Sequence, residues 1–134
     1  MKTFLDAGVL LTAWKGNSQR SVAAKIVLED GTREFFTSDA VKLELLPKPA
    51  FEKRRAEVEF YNAHFSDAED SEPFSAELGR DALALAKKFG LAAMDALHLA
   101  SAIRQGADEF ITSELPGKPI FRVTGIKVVS LSAL

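Results

Sequence analysis

The chain contains no cysteine, so disulfides, thiolate metal sites and cysteine nucleophiles are excluded together, and the absence fits a reducing cytoplasm. It has no surplus of one charge either. Seventeen Lys and Arg face 19 Asp and Glu for a net charge of −2, so no global positive field draws in nucleic acid, although a local basic patch still can. The apolar opening, MKTFLDAGVLLTAWKG, is interrupted at Asp6 and falls far short of the roughly 18 residues that a membrane span needs. The segments PGKP and KGNS lack the spacing of a phosphate-binding loop, and no glycine-rich dinucleotide fingerprint is present. There is no internal repeat, low-complexity tract or linker. What is there is ordinary for a globular protein: 47% hydrophobic and 27% charged residues over 134 positions. A single domain, 1–134, is expected to bury roughly two thirds of its unfolded surface, and its expected location is the cytoplasm.

Strand and helix patterns alternate along the chain. Residues 3–5, TFL, run straight into DAGVLLTAWKG, where Val9, Leu10, Ala13 and Trp14 recur at helical spacing. SQRSVAAKIVLEDG predicts an amphipathic helix capped by Ser18 and ended near Gly31. REFFTS predicts a second strand, and SDAVKLELLPKP a short helix ended by Pro47 and Pro49. FEKRRAEVEFYNAHF predicts a charged helix with Phe51, Val58, Phe60, Tyr61 and Phe65 mostly on one side, and SDAEDSE a solvated loop. PFSAELGRDALALAKKFG predicts a helix with Pro73 in its first turn and Gly90 past its end. Another helix runs from AMDALHLASAI to about Gln105, and DEFITS and IKVVSLS close the chain as strands, with FRV a further strand candidate. This alternation predicts an α/β fold of three layers, α/β/α, around a mainly parallel sheet of four or five strands. In such sheets ligands gather outside the carboxyl ends of the strands, where the strand order reverses.

Four carboxylates stand out against that frame. Asp6 falls where the first strand gives way to its helix, a position that a helix cap also explains. Glu44 occupies the middle of an apolar arc flanked by Ala40 and Val41, with Lys42 nearly opposite. A charge buried there needs a cation, a metal or a proton, and a salt bridge is the simplest alternative. Asp95 lies in the first turn of an otherwise apolar helix, flanked by Ala92, Leu99 and Ala102, where the helix dipole also favours it. His98, Ser101, Arg104 and Gln105 fall on a separate polar stripe. Glu114 follows the strand FIT in the loop TSELPG. Converging on one pocket, the four would repel one another unless a cation joined them, and hard oxygen ligands suit Mg²⁺ or Mn²⁺ better than zinc.

These segments resemble the PIN-domain family, and within it the VapC-like ribonuclease toxins of bacterial toxin–antitoxin pairs. FLDAGVLL is similar to the first acidic motif and places it at Asp6; TSDAVKLELLPKP resembles the second, with Glu44. MDALHLASAIRQGADEFITSE carries the third acid at Asp95 and the fourth motif at TSE, and IKVVSL resembles the closing strand. The fourth position usually holds aspartate in the family, whereas this chain has Glu114, one methylene longer. Asp108, before the strand, is at the wrong end for the site and is read as a strand-edge residue. The resemblance implies an endoribonuclease dependent on Mg²⁺ or Mn²⁺, with Asp6 and Asp95 as principal ligands, Glu44 as ligand or water-activating base, and Glu114 as auxiliary ligand. Thr112 and Ser113 would add hydroxyls. It also implies a homodimer and a cognate antitoxin protein whose tail fills a groove near the site.

Other features are given plainer readings. The basic run Lys48, Lys53, Arg54 and Arg55 is either a solvated helix face or a contact for substrate phosphates. His98 is read as a hydrogen-bonded structural residue and His64 as exposed. Trp14 and Phe35, Phe36, Phe51, Phe60, Phe65 and Phe74 are read as core or interface. Two other functions compete with the nuclease. One is a PIN-fold binding module for RNA or protein without nuclease activity; the other is a receiver-like signalling domain, disfavoured by the charged helix at mid-chain.

Overall fold

The computed structural model spans residues 1–134 and carries five strands and seven α-helices. The central strand is the first one, β1 (Lys2–Leu5), whose Thr3, Phe4 and Leu5 are completely buried. A strand buried on both faces reads as a continuous apolar run, which is why TFL has no alternation. Helices α1 (Ala7–Lys15) and α2 (Gln19–Glu29) lead to β2 (Glu34–Ser38), which pairs parallel to β1 with Phe4 opposite Phe36. Helices α3 (Asp39–Leu45), α4 (Pro47–Phe51) and α5 (Arg55–Asp67) lead to β3 (Asp70–Glu72). Helices α6 (Ala76–Phe89) and α7 (Ala93–Arg104) return the chain to β4 (Glu109–Thr112) on the other side of β1, and β5 (Lys127–Ser130) follows it.

The strand order is therefore β3-β2-β1-β4-β5, every pairing parallel. With right-handed crossovers, the outward steps to β2 and β3 put α1–α5 on one face and the return to β4 puts α6–α7 on the other. That is the three-layer architecture expected from the sequence. The Phe4 and Phe110 rings stack at 5.7 Å between centroids across β1 and β4, and each buried ring contributes roughly 1.5–3 kcal/mol. The order reverses between β1 and β4, so the crevice beyond their carboxyl ends is the switch point at which such folds bind ligands.

Several expectations need correction. The acidic SDAEDSE is not all loop: Asp70–Glu72 form the edge strand β3, with Phe36 opposite Asp70 and Ser38 opposite Glu72. Its ladder is made by main-chain groups, so side-chain hydropathy carries no trace of it, and its charges discourage pairing with another edge. Pro47 does not simply end a helix; it occupies the first turn of α4, where its missing N–H costs nothing. Phe51 belongs to α4 and is 88% exposed, not on the packed face of α5. Pro73 precedes the helix that Ser75 caps through Leu78 N–H. FRV lies in a short 3₁₀ turn, Pro119–Arg122, and its end rather than in a strand. His64 is buried, not exposed, with its ring edge-on to Phe35 and Phe65.

Candidate functional site

The switch point receives its carboxylates from four elements. Asp6 ends β1 and caps α1: its Oδ1 accepts the Val9 N–H at 3.0 Å, and its own N–H donates to the Ile111 carbonyl of β4. The capping role is thus real, and it fixes the carboxylate between the two central strands. Only 6% of Asp6 is exposed. Burial is the main reason that its pKa is pushed up from 3.8 to about 6, and Asp95 adds to the rise. The Thr112 side chain, the Val9 amide and His98 oppose it.

Asp95 sits in the first turn of α7 and is half-buried. Its pKa is also raised, first by burial and then by the negative charges of Glu114 and Glu44, with His98 acting the other way. Asp95 is thus within electrostatic range of Asp6, Glu44 and Glu114. Glu114 hangs from the loop after β4, where its N–H donates to Thr112 Oγ1 at 3.1 Å and its carbonyl accepts from Ser130 Oγ at 2.7 Å. Its backbone is pinned on both sides and its carboxylate makes no hydrogen bond or ion pair.

Glu44 departs from expectation. It is exposed, its side chain 41% accessible, rather than buried in an apolar arc. Its partner is His98, itself 2% exposed, whose Nε2 lies 2.9 Å from Glu44 Oε1. His98 follows Asp95 by one helical turn, so α7 presents an acid and an imidazole on one face. The polar stripe of α7 is therefore largely interior. His98 and Ser101 are buried, and Gln105 Nε2 donates to the Thr37 carbonyl at 2.9 Å.

Gly8 and Ser113 complete the site, and the sequence reading missed the first of them. A Cβ on Gly8 would fall 2.1 Å from Ser113 Oγ and 3.4 Å from Asp6 Oδ1. The first turn of α1 is thus pressed against the loop after β4. Glycine in a helix costs roughly 0.5–1 kcal/mol relative to alanine, and that unexplained cost, two residues after Asp6, is the available signal. Asp108 sits at the opposite end of the sheet, as expected, where its Oδ2 accepts the Lys2 N–H at 2.8 Å.

The donor set is all oxygen apart from His98, which suits a hard divalent cation. No three of these side chains stand close enough together to form a finished metal cage. Asp6 is buried and Asp95 half-buried, and neither forms an ion pair, so a bound cation would offset the burial that raises both pKa values. This donor chemistry fits a Mg²⁺ or Mn²⁺ ion. A surface recess of about 590 Å³ lies along α2 near Leu134 and contains none of the four acids. A smaller one of about 260 Å³ includes Glu44 together with Trp14, Lys15, Lys48 and Arg54, and chemistry makes it the more informative of the two.

Comparison with known proteins agrees with this architecture. The family model described as PIN domain matches residues 3–114. No curated protein matches the sequence. Among solved structures, VapBC2 from Rickettsia felis bound to a DNA fragment from its promoter aligns with a TM-score of 0.71 at 17% identity, covering 97% of this chain and 98% of that one. A toxin–antitoxin complex from Klebsiella pneumoniae aligns with a TM-score of 0.69 at 21% identity, covering 96% and 97%. DNA-bound VapBC from Salmonella typhimurium gives 0.71 at 15% identity, covering 98% of each.

Proposed function

The chain belongs to the PIN domain family, and on that premise we propose that it is a divalent-metal-dependent endoribonuclease, the toxin of a toxin–antitoxin pair. The observation that carries the reading is the placement of Asp6 and Asp95 at the switch point, both held above the ordinary carboxylate range by burial and neighbouring acids. Asp6 and Asp95 are the principal ligands, and Glu114 is an auxiliary one reaching in from a pinned backbone. Glu44 is a ligand or the base that takes a proton from the attacking water. When bound, Mg²⁺ or Mn²⁺ polarises the phosphodiester and eases formation of hydroxide from water. His98 holds Glu44 in position from the protein interior.

A cognate antitoxin as partner is supported by the toxin–antitoxin complexes among the structural neighbours; a homodimer rests on the family resemblance. The test is cleavage of a mixed RNA pool by purified protein in Mn²⁺ or Mg²⁺, beside Asp95→Asn and a chelator control. Cleavage abolished in both controls supports the reading; cleavage that survives them refutes it. Glu114, at the position where the family usually carries aspartate, favours one second reading, a PIN-fold module that binds RNA or protein without cutting. RNA binding with no cleavage in either metal would select it.

A further inference from the structure

We infer that a basic trench beginning at Glu44 and running along α4 and the start of α5 binds the single-stranded RNA that leads into the carboxylate site. The inference rests on the ribonuclease reading for its ligand class, and on geometry for its location. The recess of about 260 Å³ that contains Glu44 adjoins a second of about 290 Å³, and the two share Pro49 and Arg54 as a common wall. Lys15 and Lys48 line the first and Lys53 and Arg55 the second. None of these four cations forms an ion pair. In a protein of net charge −2, four unpaired cations along two adjoining recesses, against Glu59 in the second, are the charge pattern that a polyanion entering an acidic centre needs. Phosphate contacts position the chain while chemistry happens elsewhere.

The trench is built rather than incidental. Arg54, at the shared wall, is anchored from beneath by Glu57, which is 3% exposed and lies 3.3 Å from the guanidinium. Glu57 in turn accepts the Tyr61 hydroxyl at 2.7 Å. Lys53 has φ of 58°, the only positive φ outside glycine in the chain. A side chain pays a conformational cost there that glycine avoids, so a lysine is held where the fold alone would favour its removal. Trp14, the only tryptophan, is 38% exposed in the first recess. Its ring packs against Phe60 at 5.5 Å between centroids, and the exposed part of the indole beside these cations offers stacking surface to an unpaired base.

The test needs no cleavage. Wild-type protein in EDTA is titrated with an eight-residue oligoadenylate while Trp14 fluorescence is followed. The expected result is saturable quenching whose log-affinity falls with log salt, with a slope that drops by about 2 when three phosphate contacts are removed. The triple variant Lys48→Gln, Lys53→Gly, Arg55→Gln removes them without touching Arg54. It should bind at least 10-fold more weakly near 0.1 M salt and remain folded, since Lys53→Gly relieves backbone strain. The matched variant Arg80→Gln, Lys87→Gln, Lys88→Gln, which removes three exposed cations of α6, should bind oligoadenylate like the wild type, which separates the trench from net charge alone. Equal affinity and salt slope for wild type and triple variant would overturn the trench. So would equal quenching by polyglutamate, which would assign the surface to an acidic protein segment. A protein that binds in this way yet cuts nothing would refute the nuclease reading and leave the trench standing.

Discussion

Replacing Asp6 by asparagine should stabilise the metal-free protein at neutral pH. Asp6 carries a pKa of about 6 in the folded chain against 3.8 ordinarily, chiefly because it is buried. The folded state therefore binds a proton more tightly than the unfolded state, and stability falls as pH rises through that interval. The ionisation penalty is absent below about pH 3.8 and complete above about pH 6, where it reaches roughly 3 kcal/mol. Asparagine is as good a cap as aspartate and can still accept the Val9 N–H. It forgoes the favourable meeting of a charge with the helix N-terminus, at roughly 0.3–1 kcal/mol. The net expectation is a gain of about 2 kcal/mol at pH 7.5, which for a chain of this length raises Tm by roughly 7 °C.

Thermal melts of both proteins in EDTA at half-unit steps from pH 4 to pH 8 measure this directly. The difference between the two curves is the informative quantity, because every other titrating group contributes to both. The gap should be near zero at pH 4 and open between pH 4 and pH 6. Added Mn²⁺ should close or reverse it, since a ligand at 100 times its Kd stabilises only the protein that binds it, by about 2.7 kcal/mol. A variant that is less stable than the wild type by the same amount at pH 4 and pH 8 would refute the argument and reduce Asp6 to a cap.

Three other outcomes are expected. His98→Phe keeps the buried ring volume but removes the Nε2 contact to Glu44; Mn²⁺ affinity by calorimetry should fall roughly 10-fold, and unchanged affinity would separate His98 from the site. Gly8→Ala should cost about 1–3 kcal/mol in urea unfolding through its clash with Ser113, despite alanine's better helix propensity, and Ser113→Gly in the same chain should recover most of the loss. His64 is held down to about 4 by burial, so it is neutral when folded and stability should fall as pH drops from 6.5 toward 4, by up to roughly 3 kcal/mol. His64→Phe should flatten that limb in melts from pH 4 to pH 7; an unchanged limb would place the acid sensitivity elsewhere.

The parts of this fold that were legible in the sequence are those where side chains set the local structure. Phe4, Leu5, Phe110 and Ile111 are fully buried beside the β-branched Thr3 and Thr112, so β1 and β4 stand out in the sequence, and with them the acids that follow at Asp6 and Glu114. Ser18 and Gly90 announced helix ends because capping and left-handed backbone select residue type directly. The edge strand β3 was illegible because main-chain hydrogen bonding to β2 makes it, and Asp70, Ser71 and Glu72 satisfy that ladder as well as any residues. Pro47 follows the end of α3 at Leu45 and also opens α4, because proline suits a position just past one helix and the first position of the next equally well.

The same distinction separates the two halves of the candidate site. Asp6 stands out at the junction of a strand and a helix, where a cap also explains it, and Asp95 as an acid in the first turn of an otherwise apolar helix. Glu44 was identified for the wrong reason. Its helical arc suggested a buried charge, but α3 is only Asp39–Leu45, too short for periodicity to fix which face is covered, and the covering element, α7, arrives about 50 residues later in the chain. His98 is the interior group, and it reaches out to an exposed Glu44. An imidazole in the core whose one bonded nitrogen points at the carboxylate cluster is more readily explained by the position it gives Glu44 than by packing, because its Nδ1 is left without a partner. Burying that atom unpaired costs roughly 1–3 kcal/mol, which an apolar side chain of similar volume would have avoided.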